Sequence, residues 1–243
     1  MATLLRLGSR GPEVVALQRA LNTALRPVVP LATDGVFGGK TDQAVRQFQQ
    51  REWLIVDGLA GACTQNALHG RETYTPILHQ IPFIAQPTTT TCWAASTAMM
   101  TRSTVAAVKA RTPSDMWNDQ VGLLNSSETD DPMTSGNRYA RIHGLRCHPP
   151  MSWMLSRLRA ALQRGPLMFD MLWRTDDYLA GLGSSGHMLC VVGIRGDDDP
   201  SGRATTLRLH DPWPPNVGRR QSVNALKWLN EVPTRTYRVF EKQ

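Results

Sequence analysis

The sequence predicts an α+β protein in two segments: a small bundle of about three helices, then a domain that opens on helices and closes on an antiparallel sheet. Three observations carry this. An internal repeat of turn and helix fills the first seventy residues. After Gly70 the composition shifts towards strands and tryptophans. In that second part helical periodicity comes first and strands follow, instead of the two alternating as in a wound βαβ domain. A chain of 243 residues that is 41% hydrophobic has enough apolar material for real cores.

The first helix opens at Gly11-Pro12-Glu13, where Pro12 suits a first-turn position because its missing N–H would be unpaired there anyway. Its apolar face is Val14, Val15, Leu17, Leu21 and Leu25. Next comes Asp34-Gly35-x-x-Gly38-x-x-Thr41-x-x-Ala44-Val45, which returns twenty-three residues later as Asp57-Gly58-x-x-Gly61-x-x-Thr64-x-x-Ala67-Leu68. Each copy reads as an Asp-Gly turn, a glycine permitting tight approach, and a helix that buries a small and apolar stripe. Ala44, Val45 and Phe48, with Gln49 beside them, keep helical spacing to an end near Trp53. Residues 71–80, with Pro76, carry no strong pattern and read as a linker between a domain at 1–70 and one at 81–243.

In the second segment Cys92 to about Ala110 is rich in Ala, Met and Val and reads as one helix. Residues 111–137 are polar and proline-bearing, so loops are expected there, including the Ser126 to Asp131 run, with one short helix around Met116 to Leu124. Ser152 to Gln163 is a helix stopped by Gly165-Pro166. Strands follow at Leu167 to Leu172, Met188 to Arg195 and Thr205 to His210. A short helix at Val223 to Leu229 precedes a last strand at Arg235 to Phe240, and Gly196 to Gly202 reads as a hairpin connection.

Composition removes several function classes. The four cysteines, Cys63, Cys92, Cys147 and Cys190, contain no C-x-x-C pair, which speaks against a zinc knuckle or thioredoxin-like site and for reduced thiols. Asp197-Asp198-Asp199 lacks the alternating ligand spacing of a calcium loop and reads as a solvated turn, so no metal and no cofactor is expected. The tryptophans are not interleaved with basic residues, which argues against a nucleic-acid stacking surface. The net charge of +7 suits anionic surroundings, a carboxylate-rich wall among them, or plain solubility. No run of eighteen apolar residues is present, and Arg6 and Arg10 interrupt the short N-terminal apolar patch, so neither a membrane span nor a cleaved signal is expected.

The chemistry concentrates at Gln86-Pro87-Thr-Thr-Thr-Thr-Cys92-Trp93-Ala94-Ala95. A cysteine in the first turn of a helix meets unpaired N–H groups and the positive end of the dipole, which favours thiolate. A thiolate that attacks a carbonyl also needs a proton donor for the leaving group and donors for the oxyanion. His187, at the entrance to an apolar strand after Gly183-Ser184-Ser185-Gly186, suits the first need. Asp211, after His210 at the exit of the next strand, suits the task of accepting the Nδ1–H bond of His187. Singly, a cysteine in Thr-Cys-Trp or a histidine before a strand is an ordinary packing residue; Gln86, Cys92, His187 and Asp211 together are not. Cys147-His148, in an expected loop, is the rival nucleophile pair, though adjacent residues seldom present their side chains for proton exchange.

The span from Ile81 to Phe240 resembles a papain-like cysteine peptidase, in the bacterial branches related to C39-like and AvrRpt2-like groups. The resemblance rests on Gln86-Pro87-x-x-x-x-Cys92-Trp93-Ala94-Ala95, Gly186-His187-x-x-x-Val191 and His210-Asp211-Pro212. It implies Cys92 as nucleophile, His187 as acid and base, Asp211 as the orienting acid, and an oxyanion hole from the Gln86 side chain and the Cys92 N–H. Trp93 and Trp213 are candidate substrate contacts, Trp213 also as a shield over the Asp211–His187 bond. The Gly-Ser that plant enzymes place before the cysteine is replaced by Thr90-Thr91, which sets their substrate preference apart from this chain.

Leu7-Gly8-Ser9-Arg10-Gly11-Pro12-Glu13-Val14-x-x-Leu17-Gln18 and the first copy of the repeat resemble the small helical peptidoglycan-binding domain of cell-wall hydrolases. That resemblance implies Asp34, Phe37 and Gly38 as wall contacts, with Ala60 replacing the aromatic in the second copy. Combined, the two imply a cysteine-dependent amidase or endopeptidase acting on peptidoglycan stem peptides or crosslinks, with a protein-cleaving peptidase and a silent wall-binding protein as alternatives. With no signal peptide, the expected route is from the bacterial cytoplasm to the periplasm or wall of a target cell, by type VI-like secretion as an antibacterial effector toxin or by lysis as a phage lysin. The effector route implies a secretion-machinery component and a cognate immunity protein as partners.

Overall fold

The computed structural model describes residues 3–124, 129–131, 136–148, 153–172, 186–197, 199–231 and 238–243. Several residues used in the sequence reading lie outside them: Ser126 to Glu128, Ser152, Trp173, Gly183 to Ser185, Asp198 and Arg235 to Tyr237. The chain divides into two compact units. The first takes Met1–Pro76 with Arg195–Thr206 and Ser222–Leu226; the second takes Ile77–Ile194, Leu207–Gln221 and Lys227–Gln243.

Three helices make the first unit's bundle: α1 (Pro12–Leu25), α2 (Gly39–Arg51) and α3 (Ala62–Leu68). Gly11 precedes α1 at φ +115°, a conformation that favours glycine, and Pro12 sits in the first turn as expected. Val14, Leu17 and Leu21 of α1 pack in one core with Val45 and Phe48 of α2 and with Leu54.

The repeat proves to be a pair of matching hydrogen-bond cages. Gln18 is buried, and its Nε2 donates to Asp34 Oδ1 (2.9 Å), Val36 O (3.1 Å) and Thr41 Oγ1 (3.2 Å), while its Oε1 accepts from Gly35 N. Gln49 does the same one turn on: Nε2 to Asp57 Oδ1 (2.8 Å), Leu59 O (3.0 Å) and Thr64 Oγ1 (3.1 Å), with Oε1 accepting from Gly58 N. Each buried amide thus satisfies the polar groups of the Asp-Gly turn that would otherwise be stranded against the core. Replacing Gln49 with alanine leaves those groups unpaired and is expected to cost about 1–3 kcal/mol. A fall in the urea midpoint without change in slope would register it.

Segments from later in the chain complete this unit. The Arg195 guanidinium donates to Glu72 (2.8 and 2.6 Å) and to the Glu52 carbonyl, and lies 5.1 Å from the Trp53 ring centroid. Ser222 Oγ donates to Trp53 O and the Cys63 thiol to Arg203 O.

The remaining elements in chain order are β1 (Tyr74–Leu78), α4 (Cys92–Thr101), α5 (Val105–Arg111), β2 (Trp117–Asn118), β3 (Gly122–Leu123), β4 (Thr129–Asp131), β5 (Gly136–Asn137), α6 (Arg138–Ile142), β6 (Leu145–His148), α7 (Leu155–Arg164), β7 (Leu167–Leu172), β8 (Gly186–Gly196), β9 (Thr205–Asp211), β10 (Arg219–Asn224), α8 (Ala225–Glu231) and β11 (Arg238–Lys242). The main sheet runs β10-β9-β8-β7-β11-β6, with β1 also paired to β8. β7 pairs antiparallel with both β8 and β11, and β11 with β6. The architecture is therefore α+β, a helical segment followed by a papain-like domain, as the sequence predicts.

Four local expectations change. The stretch read as a linker contains β1; Pro76 lacks an amide hydrogen, and an off-path strand tolerates that. The long helix from Cys92 is two, because Arg102 turns left-handed (φ +54°) and Thr104 then caps α5 by accepting from Ala107 N. The helix expected around Met116 is the β2–β3 hairpin, whose turn is held by Asn118 Oδ1 accepting from Gln120 N and Val121 N. Cys147, expected in a loop, is on β6 opposite Phe240.

Candidate active site

Every residue of α4 from Cys92 to Met100 is buried, so this helix is apolar all round and has no solvent face. Two of its hydroxyls are paired internally: Ser96 Oγ donates to Met188 O (2.8 Å), and Thr97 Oγ1 bonds the Tyr139 hydroxyl (2.6 Å). Cys92 is the first residue of the helix, and no side chain caps that end. The sulfur accordingly sits where the dipole and the first-turn N–H groups favour negative charge.

The four threonines ahead of Cys92 shape the approach to it. Thr91 Oγ1 accepts from Thr88 N (3.1 Å) and donates to Thr88 O (3.2 Å), closing a turn, and Thr90 Oγ1 donates to Asp119 O on the β2–β3 hairpin (3.0 Å). Gln86, fully buried, is pinned through its backbone: its N–H donates to Pro212 O (3.0 Å) and its carbonyl accepts from Asn216 N (2.8 Å). The glutamine is thereby tied to the loop that follows Asp211. Its Nε2 spends one hydrogen on Thr88 O (2.6 Å), leaving a second, and among the described residues its Oε1 has no hydrogen-bond partner.

His187, near the start of β8, and Asp211, at the end of β9, meet across adjacent strands: His187 Nε2 lies 2.8 Å from Asp211 Oδ1. The same Oδ1 accepts from Trp213 N (2.9 Å), so the loop backbone orients the carboxylate. The sequence reading had Asp211 on Nδ1. The structure puts it on Nε2, since the side from which β9 reaches the ring depends on strand pairing, leaving Nδ1 as the ring nitrogen for the thiol. Burial on its own depresses the His187 pKa. Hydrogen bonds to Asp211 and Cys92, with the negative charge of both, outweigh it and raise the pKa to about 9. His187 therefore lies between Cys92 and Asp211 and interacts with both.

The other thiols lack this setting. Burial pushes Cys63 and Cys190 up, and Cys147 up to about 11. The rival histidine, His148, is engaged through Nε2 with Glu241 Oε2 at 2.8 Å. His210 packs edge-on against Phe83 (5.4 Å between centroids), and burial with Arg220 and Arg208 nearby lowers it to about 4, so it stays neutral.

The structure separates the other candidate contacts. Trp93 is 2% exposed and packs on Trp117 and Tyr139, which removes it from any substrate surface; the residue after Cys92 necessarily turns to another face of a helix that is buried on all of them. Trp213 is half-buried next to Asp211. Phe37 is 1% exposed within the bundle core, with its backbone bonded to Gly8 and Ser9, and Ala60 occupies the matching place in the second copy, bonded to Leu5. Asp34 is exposed, but its carboxylate is engaged by Gln18 and Val36 N, which also lower its pKa. Gly38 is the N-cap of α2. Phe37 thus has a structural role, and the Asp34 carboxylate serves its own turn.

One contributor left no trace in sequence spacing. Gly122 has φ +86°, and a Cβ there would stand 2.5 Å from the Thr90 carbonyl oxygen, two residues before Cys92. Backbone meets backbone, so neither side can yield by a side-chain rotation. Gly122→Ala is expected to displace the Thr88–Thr91 turn and lower kcat about 10–100-fold with KM changed far less. Steady-state kinetics beside a circular dichroism spectrum would separate displacement from unfolding.

A family model described as the papain-like cysteine protease AvrRpt2 matches residues 75–232, well over half of the chain. The chain belongs to this family. A second model, the putative peptidoglycan binding domain, matches residues 10–68 ahead of the AvrRpt2-like part. The N-acetylmuramoyl-L-alanine amidase CwlL of Bacillus licheniformis is 36% identical over 66 residues, which are 27% of this chain and 18% of that protein. The chain therefore spans less than a fifth of that relative. The SleB N-terminal domain is 37% identical over 29% of this chain and 94% of its own, with a TM-score of 0.27. A putative C39-like peptidase from Bacillus anthracis is 13% identical over 70% of this chain and 98% of its own, with a TM-score of 0.39. AvrRpt2-like membership makes the chain a hydrolase of the cysteine-peptidase type, carrying a peptidoglycan-binding domain in front.

Proposed function

We propose that the chain is a thiol peptidase that cleaves amide bonds in polypeptide substrates while its first domain holds it at peptidoglycan. The carrying observation is the arrangement at the head of a buried helix: Cys92 begins it, near enough to His187 to help raise that histidine's pKa, and His187 is hydrogen-bonded to Asp211. The Cys92 thiolate attacks the carbonyl carbon, and the oxyanion is received by the Cys92 N–H and the second Nε2 hydrogen of Gln86. His187 gives its proton to the departing amine as the C–N bond breaks, leaving a thioester. Water, losing a proton to His187, then hydrolyses the thioester and releases the acid and the free thiolate.

A protein substrate is favoured by the match to a protease family over more than half of the chain. The second reading, cleavage of stem peptides or crosslinks, is favoured by the peptidoglycan-binding match, because tethering raises the local concentration of wall amides. Under either reading we propose that the chain acts at peptidoglycan, in the periplasm or wall of a target cell.

Incubating the full chain separately with an unfolded protein and with purified sacculi, then reading new amines and fragment masses, tests both readings. Polypeptide fragments that vanish after iodoacetamide treatment support the first, and muropeptides with new termini support the second. Turnover of neither by the freshly reduced chain would refute the hydrolase assignment.

A further inference from the structure

The first domain's expected wall contacts are engaged in its own fold: Phe37 in the core and the Asp34 carboxylate in its turn. A different feature of that unit has the shape of a ligand site. A groove of about 550 Å³ is lined by Thr3, Glu13, Leu17, Gln65, His69 and Arg71, among others, from the N-terminal arm, α1, and α3 with the residues just after it. That volume falls within the range of small-ligand sites.

The groove has two chemically distinct parts. Glu13, in the first turn of α1, accepts from Thr3 Oγ1 at 3.3 Å and is exposed. Arg71 and His69 supply the other part; Gly70 between them turns at φ +62°. Among the described residues neither of these two side chains has a hydrogen-bond or ion-pair partner. Burial and the neighbouring Arg71 both lower the His69 pKa, so it is a neutral donor or acceptor beside a permanent cation. Gln65 donates from Nε2 to Thr3 O (2.6 Å) and Ala60 O (2.8 Å), fixing the arm and leaving its Oε1 as an acceptor. An acid, a cation, a neutral imidazole and an amide oxygen around one concavity suit a ligand carrying both signs of charge.

We infer that this groove is the subsite through which the first domain holds a zwitterionic peptide, its carboxylate on Arg71 and His69 and its ammonium on Glu13. Wall stem peptides are of this class, with free carboxylates and, at a diamino-acid residue, a free amine. The inference deepens the wall-tethering part of the proposed function and rests on it.

The test uses full-length Cys92→Ala protein, so that no ligand is consumed, titrated with L-Ala-γ-D-Glu-meso-diaminopimelate-D-Ala in a calorimeter. Arg71→Gln is expected to weaken binding at least about tenfold, as loss of a charge-assisted contact implies. Glu13→Gln is expected to weaken the parent peptide but not the form acetylated on both of its amines. Amidating the peptide's carboxylates should cost affinity against the parent groove and little against Arg71→Gln. Arg19→Gln, outside the groove, controls for net charge, and thermal midpoints control for folding. Unchanged affinity in both groove variants would overturn the inference, as would retained binding to sacculi with no binding to the tetrapeptide, which would assign recognition to the glycan. Failure to bind either would remove the wall-tethering reading as well.

Discussion

Replacing Cys92 with alanine is expected to abolish turnover, lowering kcat by about four to six orders of magnitude, the scale on which other nucleophile deletions act. On the proposed mechanism the effect is large because the nucleophile, acid and oxyanion donors would work as one unit: without the sulfur no covalent intermediate forms, and His187 has nothing to activate. The fold should survive. Cys92 is 9% exposed at the end of a helix whose other buried positions keep their contacts, so alanine removes one sulfur from the rim of the core. The cost in stability is expected to be about 1 kcal/mol. Retained turnover in this variant would refute the assignment outright, since Cys63, Cys147 and Cys190 all have pKa values raised by burial.

Asp211→Ala carries the second largest effect, about a thousandfold or more in kcat, because the carboxylate fixes the His187 ring and stabilises its charged form. Its signature lies in pH. His187 is raised to about 9 from an ordinary 6.5, so the imidazolium persists through neutrality, and activity is expected to fall as pH rises through about 9, where the proton donor is lost. The linked stability follows the same sign: a raised pKa contributes fully below about 6.5 and is lost as pH climbs through the folded value. Without Asp211, burial is opposed only by Cys92, and the basic limb should move down towards neutrality. A pH–rate profile and a pH series of denaturation midpoints would check both. A basic limb left at 9 in Asp211→Ala would show that the carboxylate does not set the histidine. Asp211→Asn separates the roles, keeping an acceptor for the ring while removing the charge.

Helices α1 and α2 of the first unit lie where Pro12, the Asp-Gly turns and the stripe of Val14, Leu17 and Leu21 put them. The strand at Leu167–Leu172 matches its apolar run residue for residue. These features are legible because each is written within one turn of helix or a few residues of strand. The same holds for Cys92, whose place at a helix start is fixed by the residues around it. What spacing misses are partnerships between distant residues. Gln18 and Gln49 serve turns outside their own helices, and no spacing within those helices points to the bonds they make. Gly122 falls in a stretch that reads as a short helix, and nothing local marks it, because its constraint is the Thr90 carbonyl. Arg195 ends an apolar strand, yet its partners are Glu52, Trp53 and Glu72.

By itself, then, the sequence determined the helical first segment, the α+β class of the second, the repeat, and the identities of the four residues suited to thiolate chemistry. Only the tertiary structure decided that His187 meets Asp211 through Nε2, that Gln86 is pinned by Pro212 and Asn216, and that Trp93 and Phe37 are core. The division has one physical cause. Turn chemistry and periodicity act between neighbours along the backbone, where residue identity alone sets the energy. Ring orientation and burial depend on which surfaces are brought together from far apart in the chain, and strand pairing makes that choice.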